Sequence, residues 1–314
     1  MRKYLRTERE IIQNWKGDLS APLLSINCLA YNHEPYIEDA LEGFLVQETN
    51  FPFEILIHDD ASTDKTADII KAYEDKYPKL IKPIYQTQNQ YSRGKKPGIT
   101  NLQRVLGKYI AVCEGDDYWT DPSKLQKQVD FLEANRDCSA CFTNADFINE
   151  IDNTKRLFVN ELDEGYVSAE SVIVIGGGIY PTASLVFRSK YKCPSIFKKF
   201  KYLPGDEILI IWLALQGKIF FLNEITCAYR RWEGGVYSRI SGDIEKIVAQ
   251  RKKNIQDFLI LKNEVDVKYK TFFKKKLAIE SYYIIKYSFQ YSNLKYIKYL
   301  NFLDLIKGWL LRII

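Results

Sequence analysis

Short apolar runs alternate with amphipathic stretches along the first half of the chain. The apolar runs predict four strands, at 23–29, 53–58, 80–85 and 108–113. Between them apolar residues recur at helical spacing, and Asn32 or His33, then Asp64, are suited to cap the first two helices. Further helices are predicted at about 100–106 and 123–135. This alternation is typical of an α/β protein with a mostly parallel sheet covered by helices on both faces.

Polar segments follow three of these predicted strands, at 31–34, 59–64 and 114–117. Ligands of open parallel sheets bind beyond the carboxyl ends of the strands, so the three segments are expected to converge on one crevice. The last segment carries Glu114, Asp116 and Asp117, whose mutual repulsion calls for a cation or a set of hydrogen-bond donors. The acidic turn therefore predicts a divalent metal site, and the alternative is a solvated turn.

The second half of the chain has a less regular pattern. Strands are predicted at about 138–143, 184–187, 219–222 and 225–229, and a helix at 206–215. Gly176, Gly177 and Gly178 interrupt this pattern and can form either the floor of a substrate site, where glycine permits close approach, or a simple tight turn. We expect the core domain to close near residue 240.

Charge is distributed unevenly. The 314 residues carry a net charge of +5, whereas residues 266–314 alone contain ten Lys or Arg against three Asp or Glu. Residues 296–314 combine basic, aromatic and apolar side chains, as does a helix that lies in a membrane interface. The alternative is a helix that packs on the domain or forms a dimer. The predicted domains are a helical extension at 1–20, a core at 21–240 with halves 21–120 and 121–240, and a basic, aromatic helical tail at 241–314.

The N-terminus and the six cysteines favour a cytosolic protein. The first 20 residues are charged throughout and show no apolar segment of a secretory signal. The cysteines are scattered and several fall within apolar runs, as expected of reduced core thiols. Cys138 and Cys141 are spaced like half of a zinc site, but there is no second pair and the only histidines are His33 and His58. Zinc is therefore not expected.

Three motifs together resemble a known family. They are Tyr-Asn-His-Glu at 31–34, His-Asp-Asp-Ala-Ser-Thr-Asp at 58–64, and Val-Cys-Glu-Gly-Asp-Asp-Tyr-Trp at 112–119. In order and spacing they resemble family 2 glycosyltransferases of the GT-A fold, particularly bacterial enzymes that build capsular or O-antigen polysaccharide. The resemblance covers roughly residues 22–240. It implies a GT-A fold and a nucleoside diphosphate sugar, most simply a UDP-sugar, as donor substrate.

The resemblance also implies the donor-binding residues. Those that would contact the nucleotide sugar are Leu29, Tyr31, Asn32, Glu34, Asp59, Asp60, Asp116, Arg230, Arg231 and Trp232. Tyr31 would lie against the base and Asp60 would accept the ring N–H of uracil, chemistry that suits an aromatic ring and a carboxylate. Asp59 would support that loop.

The acidic turn corresponds to the family's DXD-type motif, in which Glu114 replaces the usual aspartate. By resemblance Asp117 would ligate Mn²⁺ or Mg²⁺, and Asp116 would face the ribose or a metal-bound water. One or two carboxylates plus phosphate oxygens are the ligands that such a cation takes. The element at 228–235 resembles a Tyr-Arg-x-His-x-Gly-Gly motif that closes over the diphosphate, and Arg230 or Arg231 can bind phosphate. Trp232 stands where the family has histidine, which leaves the metal shell open.

Glycosyl transfer with inversion needs a base beside the attacking hydroxyl. Pro-Gly-Asp-Glu at 204–207 aligns with the catalytic acidic motif of the family, which makes Asp206 the predicted base and Glu207 the reserve. The alternative role for Asp206, a helix N-cap, is compatible with this one. A processive synthase is disfavoured, because Ala228 stands where such enzymes have glutamine.

The sequence therefore predicts a metal-dependent inverting glycosyltransferase acting on a glycan hydroxyl. By resemblance the acceptor is lipid-linked and the protein sits peripherally on the cytoplasmic face of a bacterial inner membrane, attached through its tail. No nucleic acid partner is expected, and an oligomer is possible. A nucleotidyltransferase would need a glycine-rich phosphate loop after the first strand, which residues 30–34 lack. The non-enzyme alternative is a degenerate homologue that binds a nucleotide sugar or glycan.

Overall fold

A computed structural model describes residues 5–18, 20–235, 238 and 243–290. Its strands are β1 (Leu24–Ala30), β2 (Phe53–Asp59), β3 (Ile81–Tyr85), β4 (Tyr109–Val112), β5 (Tyr118–Trp119), β6 (Cys138–Asn149), β7 (Thr154–Leu157), β8 (Gly165–Val167), β9 (Val186–Arg188) and β10 (Lys218–Arg231). Its α-helices are α1 (Glu8–Ile12), α2 (Ile37–Leu45), α3 (Thr66–Lys76), α4 (Gly98–Arg104), α5 (Lys124–Ala134), α6 (Ala169–Ile175), α7 (Pro194–Lys199), α8 (Gly205–Gln216), α9 (Ile244–Glu264) and α10 (Val267–Gln290). Short 3-10 turns cover Gly176–Ile179, Thr182–Ser184 and Ser189–Tyr191.

The first four strands form the predicted parallel unit, in the order β3-β2-β1-β4. Residues of β1 and β2 are buried almost throughout, because helices cover both faces of this part of the sheet. Their carboxyl ends lie at one edge, since Ala30 is in register with Asp59 across the β1–β2 pair. The predicted α/β architecture and GT-A fold are confirmed.

The second half of the sheet is mixed. Strand β9 pairs antiparallel with β4 and β6, and β10 runs parallel to β6. Strand β10 corrects the prediction of two short strands at 219–222 and 225–229, because it continues through register shifts between 222 and 227. The apolar pattern of the sequence is interrupted at these register shifts, whereas the backbone pairing with β6 continues through them. The short strands β7 and β8 were not predicted.

Helices α9 and α10 belong to the same core as the sheet. Phe258, Leu261 and Phe273 are buried in one cluster with residues of α8 such as Ile208 and Ile211. The boundary drawn at residue 240 therefore does not separate this part of the tail from the core. The proposed interface helix at 296–314 lies outside the described residues. Among the helices that are described, none is both long and apolar enough to cross a membrane.

Candidate active site

The three predicted polar segments meet at the carboxyl edge of β1, β2 and β4. The N–H of Gly115 donates to the carbonyl of Leu29 at 2.8 Å, which joins the acidic turn to the end of β1. The N–H of His33 donates to the Thr66 hydroxyl at 2.8 Å, which joins the β1 exit to the start of α3. The expected convergence is confirmed, and these backbone contacts fix it.

The first loop depends on a relay of hydrogen bonds from Asp59. The carboxylate of Asp59 accepts the Ser62 hydroxyl at 2.5 Å, and that hydroxyl oxygen accepts the N–H of Asn32 at 2.9 Å. Asn32 and Ala61 both have positive φ angles, 55° and 63°. An alanine in this region is strained, and such strain is found where a surrounding network holds a loop in one conformation. Asp59 therefore supports the loop, as the resemblance implied.

One of the two helix caps predicted at this edge is wrong. Helix α2 starts at Ile37 with Tyr36 at its N-cap, and Asn32 instead accepts the N–H of Thr63 at 2.8 Å. The residue at the N-cap of α3 is Lys65, but the Asp64 carboxylate accepts the N–H of Thr66, the first residue of that helix, at 3.0 Å. Asp64 thus bonds the start of α3 as predicted, whereas Asn32 ties two neighbouring loops together.

Glu34 takes part in this loop–loop packing as well. Its carboxylate accepts the N–H of Lys65 at 3.1 Å, and its own N–H donates to Asp64 at 3.0 Å. These contacts make Glu34 a brace between the first two strand exits. The predicted contact of Glu34 with the nucleotide sugar stays a prediction.

Asp60 anchors the segment 86–98, a role that the sequence did not suggest. Its two carboxylate oxygens accept the N–H groups of Gln90 at 2.8 Å and of Tyr91 at 3.0 Å. Each oxygen retains a further lone pair, so acceptance of a uracil N–H remains compatible with this geometry. Tyr31, at 37% exposure, presents its ring to solvent at the same edge.

Asp116 is the carboxylate of the acidic turn that faces the site. Its side chain is 20% exposed, and Oδ2 accepts the indole N–H of Trp232 at 2.9 Å. Nε2 of His33 lies 3.7 Å from the same oxygen, too far for a hydrogen bond. The indole packs on the ring of Tyr36 with centroids 5.0 Å apart. Trp232 thus closes over Asp116 at the position where the family has histidine.

Asp117, the predicted metal ligand, is directed elsewhere. It is 2% exposed, and Oδ1 accepts the backbone N–H of Arg230 at 2.8 Å. Burial, together with the charges of Asp116 and Glu114, raises its pKa well above the ordinary value. We therefore correct the sequence-based assignment: Asp117 joins the acidic turn to β10, and Asp116 is better placed to meet a metal.

The residues present fit a divalent cation shared with a diphosphate. Nε2 of His33 lies 3.7 Å from Oδ2 of Asp116 without a hydrogen bond between them, so one cation can contact both. Carboxylate oxygen is the protein ligand that Mn²⁺ and Mg²⁺ prefer. Within the described ranges no three metal-ligating side chains cluster, so phosphate oxygens would have to complete the shell.

Arg230 is already occupied, which contradicts its predicted role as a phosphate ligand. Its guanidinium pairs with Asp39 and with Glu150, the latter at 3.5 Å, and it lies over the rings of Tyr36 and Tyr118. A guanidinium held by two carboxylates and two rings has few free donors for a diphosphate. The predicted contact of Arg231 with phosphate stays a prediction.

Asp206 lies in the first turn of α8, beside the glycine turn. A Cβ built on Gly177 would lie 3.1 Å from its Oδ2, and its carbonyl accepts the hydroxyl of Tyr180 at 3.0 Å. Burial raises its pKa, and the N–H groups at the helix start oppose this. A raised pKa makes a carboxylate a stronger proton acceptor, provided that it is ionised.

The charge of Asp206 affects the pKa of Glu114 in the acidic turn. Burial, followed by the charges of Asp116 and Asp206, raises the pKa of Glu114 to about 8. Asp206 is thus one of the charges that influence the titration of Glu114. Glu207, by contrast, is only 9% exposed and pairs with Lys276 at 3.0 Å, so it is not available as a reserve base.

Sequence reasoning missed several residues that the structure brings to the site. His33 was considered only as a cap, although it belongs to the 31–34 motif. Lys96, just before α4, is half-buried and donates to the Leu203 carbonyl at 2.8 Å. Lys276 carried no local signal, because lysine in a basic helix is ordinary until its burial is known. The position of Gly177 against Asp206 favours the floor that the glycines were predicted to form.

Fold and site together define a GT-A-type α/β protein with a carboxylate-lined crevice at the strand ends. The family model for glycosyl transferase family 2 matches residues 25–193, more than half of the chain. The chain therefore belongs to glycosyl transferase family 2. An uncharacterised protein of Mycobacterium tuberculosis is 35% identical over 223 residues, which are 71% of this chain and 63% of that protein.

Two relatives carry functional names. The putative teichuronic acid biosynthesis glycosyltransferase TuaG of Bacillus subtilis is 37% identical over 133 residues, covering 41% of this chain and 47% of its own. The UDP-Glc:α-D-GlcNAc-diphosphoundecaprenol β-1,3-glucosyltransferase WfaP of Escherichia coli is 38% identical over 116 residues, covering 36% of this chain and 43% of its own. These matches span about half or less of either protein.

Solved structures support the fold. Staphylococcus aureus TarS in complex with UDP superposes with a TM-score of 0.58 at 18% identity, over 87% of this chain and 73% of the other. The mannosyltransferase PcManGT of Pyrobaculum calidifontis, in complex with GDP-Man and Mn²⁺, gives a TM-score of 0.56 at 15% identity over 94% and 85%. Both likenesses establish a shared fold.

Proposed function

We propose that this protein transfers a sugar from a nucleoside diphosphate sugar to a hydroxyl of a glycan during bacterial surface polysaccharide synthesis. The observation that carries the proposal is the convergence of the three polar strand exits on one crevice at the carboxyl edge of β1, β2 and β4. TuaG is named for teichuronic acid biosynthesis and WfaP for transfer of glucose to a diphosphoundecaprenol-linked sugar, while structures of like fold hold UDP, or GDP-Man with Mn²⁺. A UDP-linked donor and a lipid-linked acceptor are the finer parts of the proposal.

The proposed reaction joins an oxygen of the acceptor to the anomeric carbon of the donor sugar. The acceptor oxygen attacks the anomeric carbon from the side opposite the diphosphate, the bond to the diphosphate oxygen breaks, and the acceptor proton passes to Asp206. Tyr31 and the loop built on Asp59 and Asp60 hold the nucleoside, and Asp116 with His33 faces the diphosphate. Mn²⁺ or Mg²⁺, when bound there, offsets the charge that develops on the departing diphosphate.

Asp116→Asn is expected to weaken Mn²⁺-dependent binding of UDP by at least about tenfold, since even outer-shell changes at metal sites have effects of that size. Asp117→Asn is the matched control, because asparagine keeps an oxygen for the Arg230 N–H. Calorimetric titration of UDP with Mn²⁺ and with a chelator measures both. A larger loss in the Asp117 variant would restore the sequence-based assignment. Failure of wild type to bind any UDP- or GDP-sugar would contradict the proposed function.

The alternative, a degenerate protein that only binds nucleotide sugars, has a distinct outcome. Such a protein binds UDP-glucose in the presence of Mn²⁺ but releases no UDP above the uncatalysed rate. The position of Asp206 at the start of α8, beside the glycine turn and with a raised pKa, favours the enzyme, because carboxylates with perturbed pKa values cluster at catalytic sites.

The tail carries the proposed attachment to the membrane surface. A chain that ends at Gln290 keeps the described helices and removes the basic, aromatic residues 291–314. We expect it to lose co-sedimentation with vesicles that contain anionic phospholipid, since each Lys or Arg near such a surface contributes about 1 kcal/mol. Equal sedimentation of the two chains would overturn membrane attachment through the tail.

A further inference from the structure

Helices α9 and α10 bury several charged side chains. Asp257 is 2% exposed, Lys276 4% and Glu280 5%. A helix pair that only covered an apolar face would not need buried charges, since each is costly to remove from water unless it is paired and hydrogen-bonded. Asp257 and Lys276 contact residues at or just before the start of α8, where Asp206 lies. Glu280 pairs with Lys276.

Asp257 holds the chain just before α8. Its Oδ2 accepts the N–H groups of Tyr202 at 2.6 Å and of Leu203 at 2.8 Å. Gln250, two turns earlier on α9, donates its amide to the Tyr202 carbonyl at 3.0 Å. The backbone that leads into α8 is thus bonded on both its donor and its acceptor side by one helix.

Lys276 holds the first turn of α8 itself. Its ammonium lies 3.0 Å from Oε1 of Glu207 and 3.3 Å from Oε1 of Glu280, and Arg251 pairs with the other oxygen of Glu280 at 2.6 Å. This chain of alternating charges links both helices to the residue that follows Asp206. Because Lys276 holds the side chain of Glu207, the neighbouring backbone that carries Asp206 has little freedom to rotate.

A third contact binds the backbone before α8, and it comes from the segment between β3 and α4. Lys96 donates to the Leu203 carbonyl, and the segment that carries Lys96 is anchored on Asp60 through Gln90 and Tyr91. The segment that Asp60 anchors therefore also contacts the backbone three residues before Asp206, through the half-buried Lys96.

We propose that Asp257 and Lys276 are positioning residues for Asp206, so that α9 and α10 form part of the catalytic unit. Neither touches the reacting atoms. They fix the first turn of α8 and the backbone before it, so that Asp206 faces the acceptor hydroxyl. This inference rests on the proposed function, in which Asp206 is the base. Misplacement of a reacting group by about 1 Å can cost about a hundredfold in rate, which is the effect that such residues prevent.

The test compares Lys276→Met, Lys276→Arg and Asp257→Leu, which has no accepting oxygen, with Lys274→Met, an exposed lysine on the same helix. Full-length variants are assayed below their unfolding temperatures for release of UDP from UDP-glucose, and for UDP affinity. We expect kcat per folded molecule to fall about tenfold to a hundredfold in Lys276→Met and Asp257→Leu, with UDP affinity changed less than about threefold. Lys276→Arg should recover part of the rate, and the control should match wild type.

The split between rate and affinity separates positioning from simple stabilisation. A misplaced Asp206 lowers kcat while UDP affinity is kept, whereas partial unfolding lowers both. A variant with a lower unfolding temperature but with an unchanged kcat per folded molecule would show a purely structural role and overturn the proposal. If Lys276→Met does not fold, Asp257→Leu gives the same readouts.

Asp206→Asn is assayed in parallel, so that failure of the positioning role can be distinguished from failure of the proposed base. If Asp206→Asn is inactive and both positioning variants keep wild-type rates, the positioning role alone fails. If Asp206→Asn keeps the wild-type rate, the proposed base fails, and with it any need to position that residue.

Discussion

Asp206→Asn is expected to lower the rate of sugar transfer by on the order of 10²–10⁴-fold, the usual contribution of a positioned general base. Asparagine fills the same space at the start of α8 but cannot accept the acceptor proton. UDP affinity should stay near that of wild type, because the donor contacts come from other strand exits. Release of UDP from UDP-glucose and calorimetric UDP binding provide the two measurements.

The pH dependence of this reaction follows from the direction of the pKa shift. Asp206 acts when it is ionised, so kcat should rise with pH through its pKa, and burial places that pKa above the ordinary value of 3.8. Asp163→Asn, at an exposed position, is the matched control and should leave both rate and profile unchanged. An Asp206→Asn protein with the wild-type rate would exclude Asp206 as the base.

Gly176→Ala is expected to destabilise the protein by about 3 kcal/mol, from backbone strain together with disruption of a buried ion pair. Gly176 has φ 77° and ψ −146°, a conformation that essentially only glycine adopts. A Cβ there would lie 2.1 Å from Oε1 of Glu207 and 3.1 Å from Nζ of Lys276. Glu207 cannot yield easily, because Lys276 holds it.

The neighbouring Gly178 provides the matched control. A Cβ at Gly178 meets nothing within 4 Å, and Gly178 is not among the glycines with positive φ. Gly178→Ala should therefore leave the free energy of unfolding within about 0.5 kcal/mol of wild type, as surface substitutions usually do. Urea denaturation of both variants measures the difference. Equal stabilities would mean that the turn relaxes to accept a Cβ and would remove the role given to this glycine.

Much of the fold was predictable because its periodicity is local. The runs ending at Ala30, Asp59 and Val112 are apolar over several consecutive residues, since helices cover both faces of the sheet there. Strand β10 was split in the prediction, because its register shifts interrupt the apolar pattern without ending the pairing. Strand β7 has no buried residue and so leaves no apolar signal.

The candidate site was predictable in its location and less so in its roles. Motif order placed Asp60, Asp116 and Asp206 on one crevice, and the parallel topology confirms the convergence of the first two. Whether a carboxylate faces the crevice or the protein depends on what lies across from it. Asp117 is paired with the Arg230 N–H from 113 positions away, and such a long-range partner has no signature near either residue.

The sequence by itself determined the β-α order, the polar strand exits and the set of acidic residues, because each depends on neighbours within a few positions. The tertiary structure alone decided how those residues are used. It directed Asp116 rather than Asp117 toward the site, occupied Arg230 with Asp39 and Glu150, and paired Glu207 with Lys276. The physical reason is that the orientation and pKa of a buried charge are set by the partners that folding brings to it from distant parts of the chain.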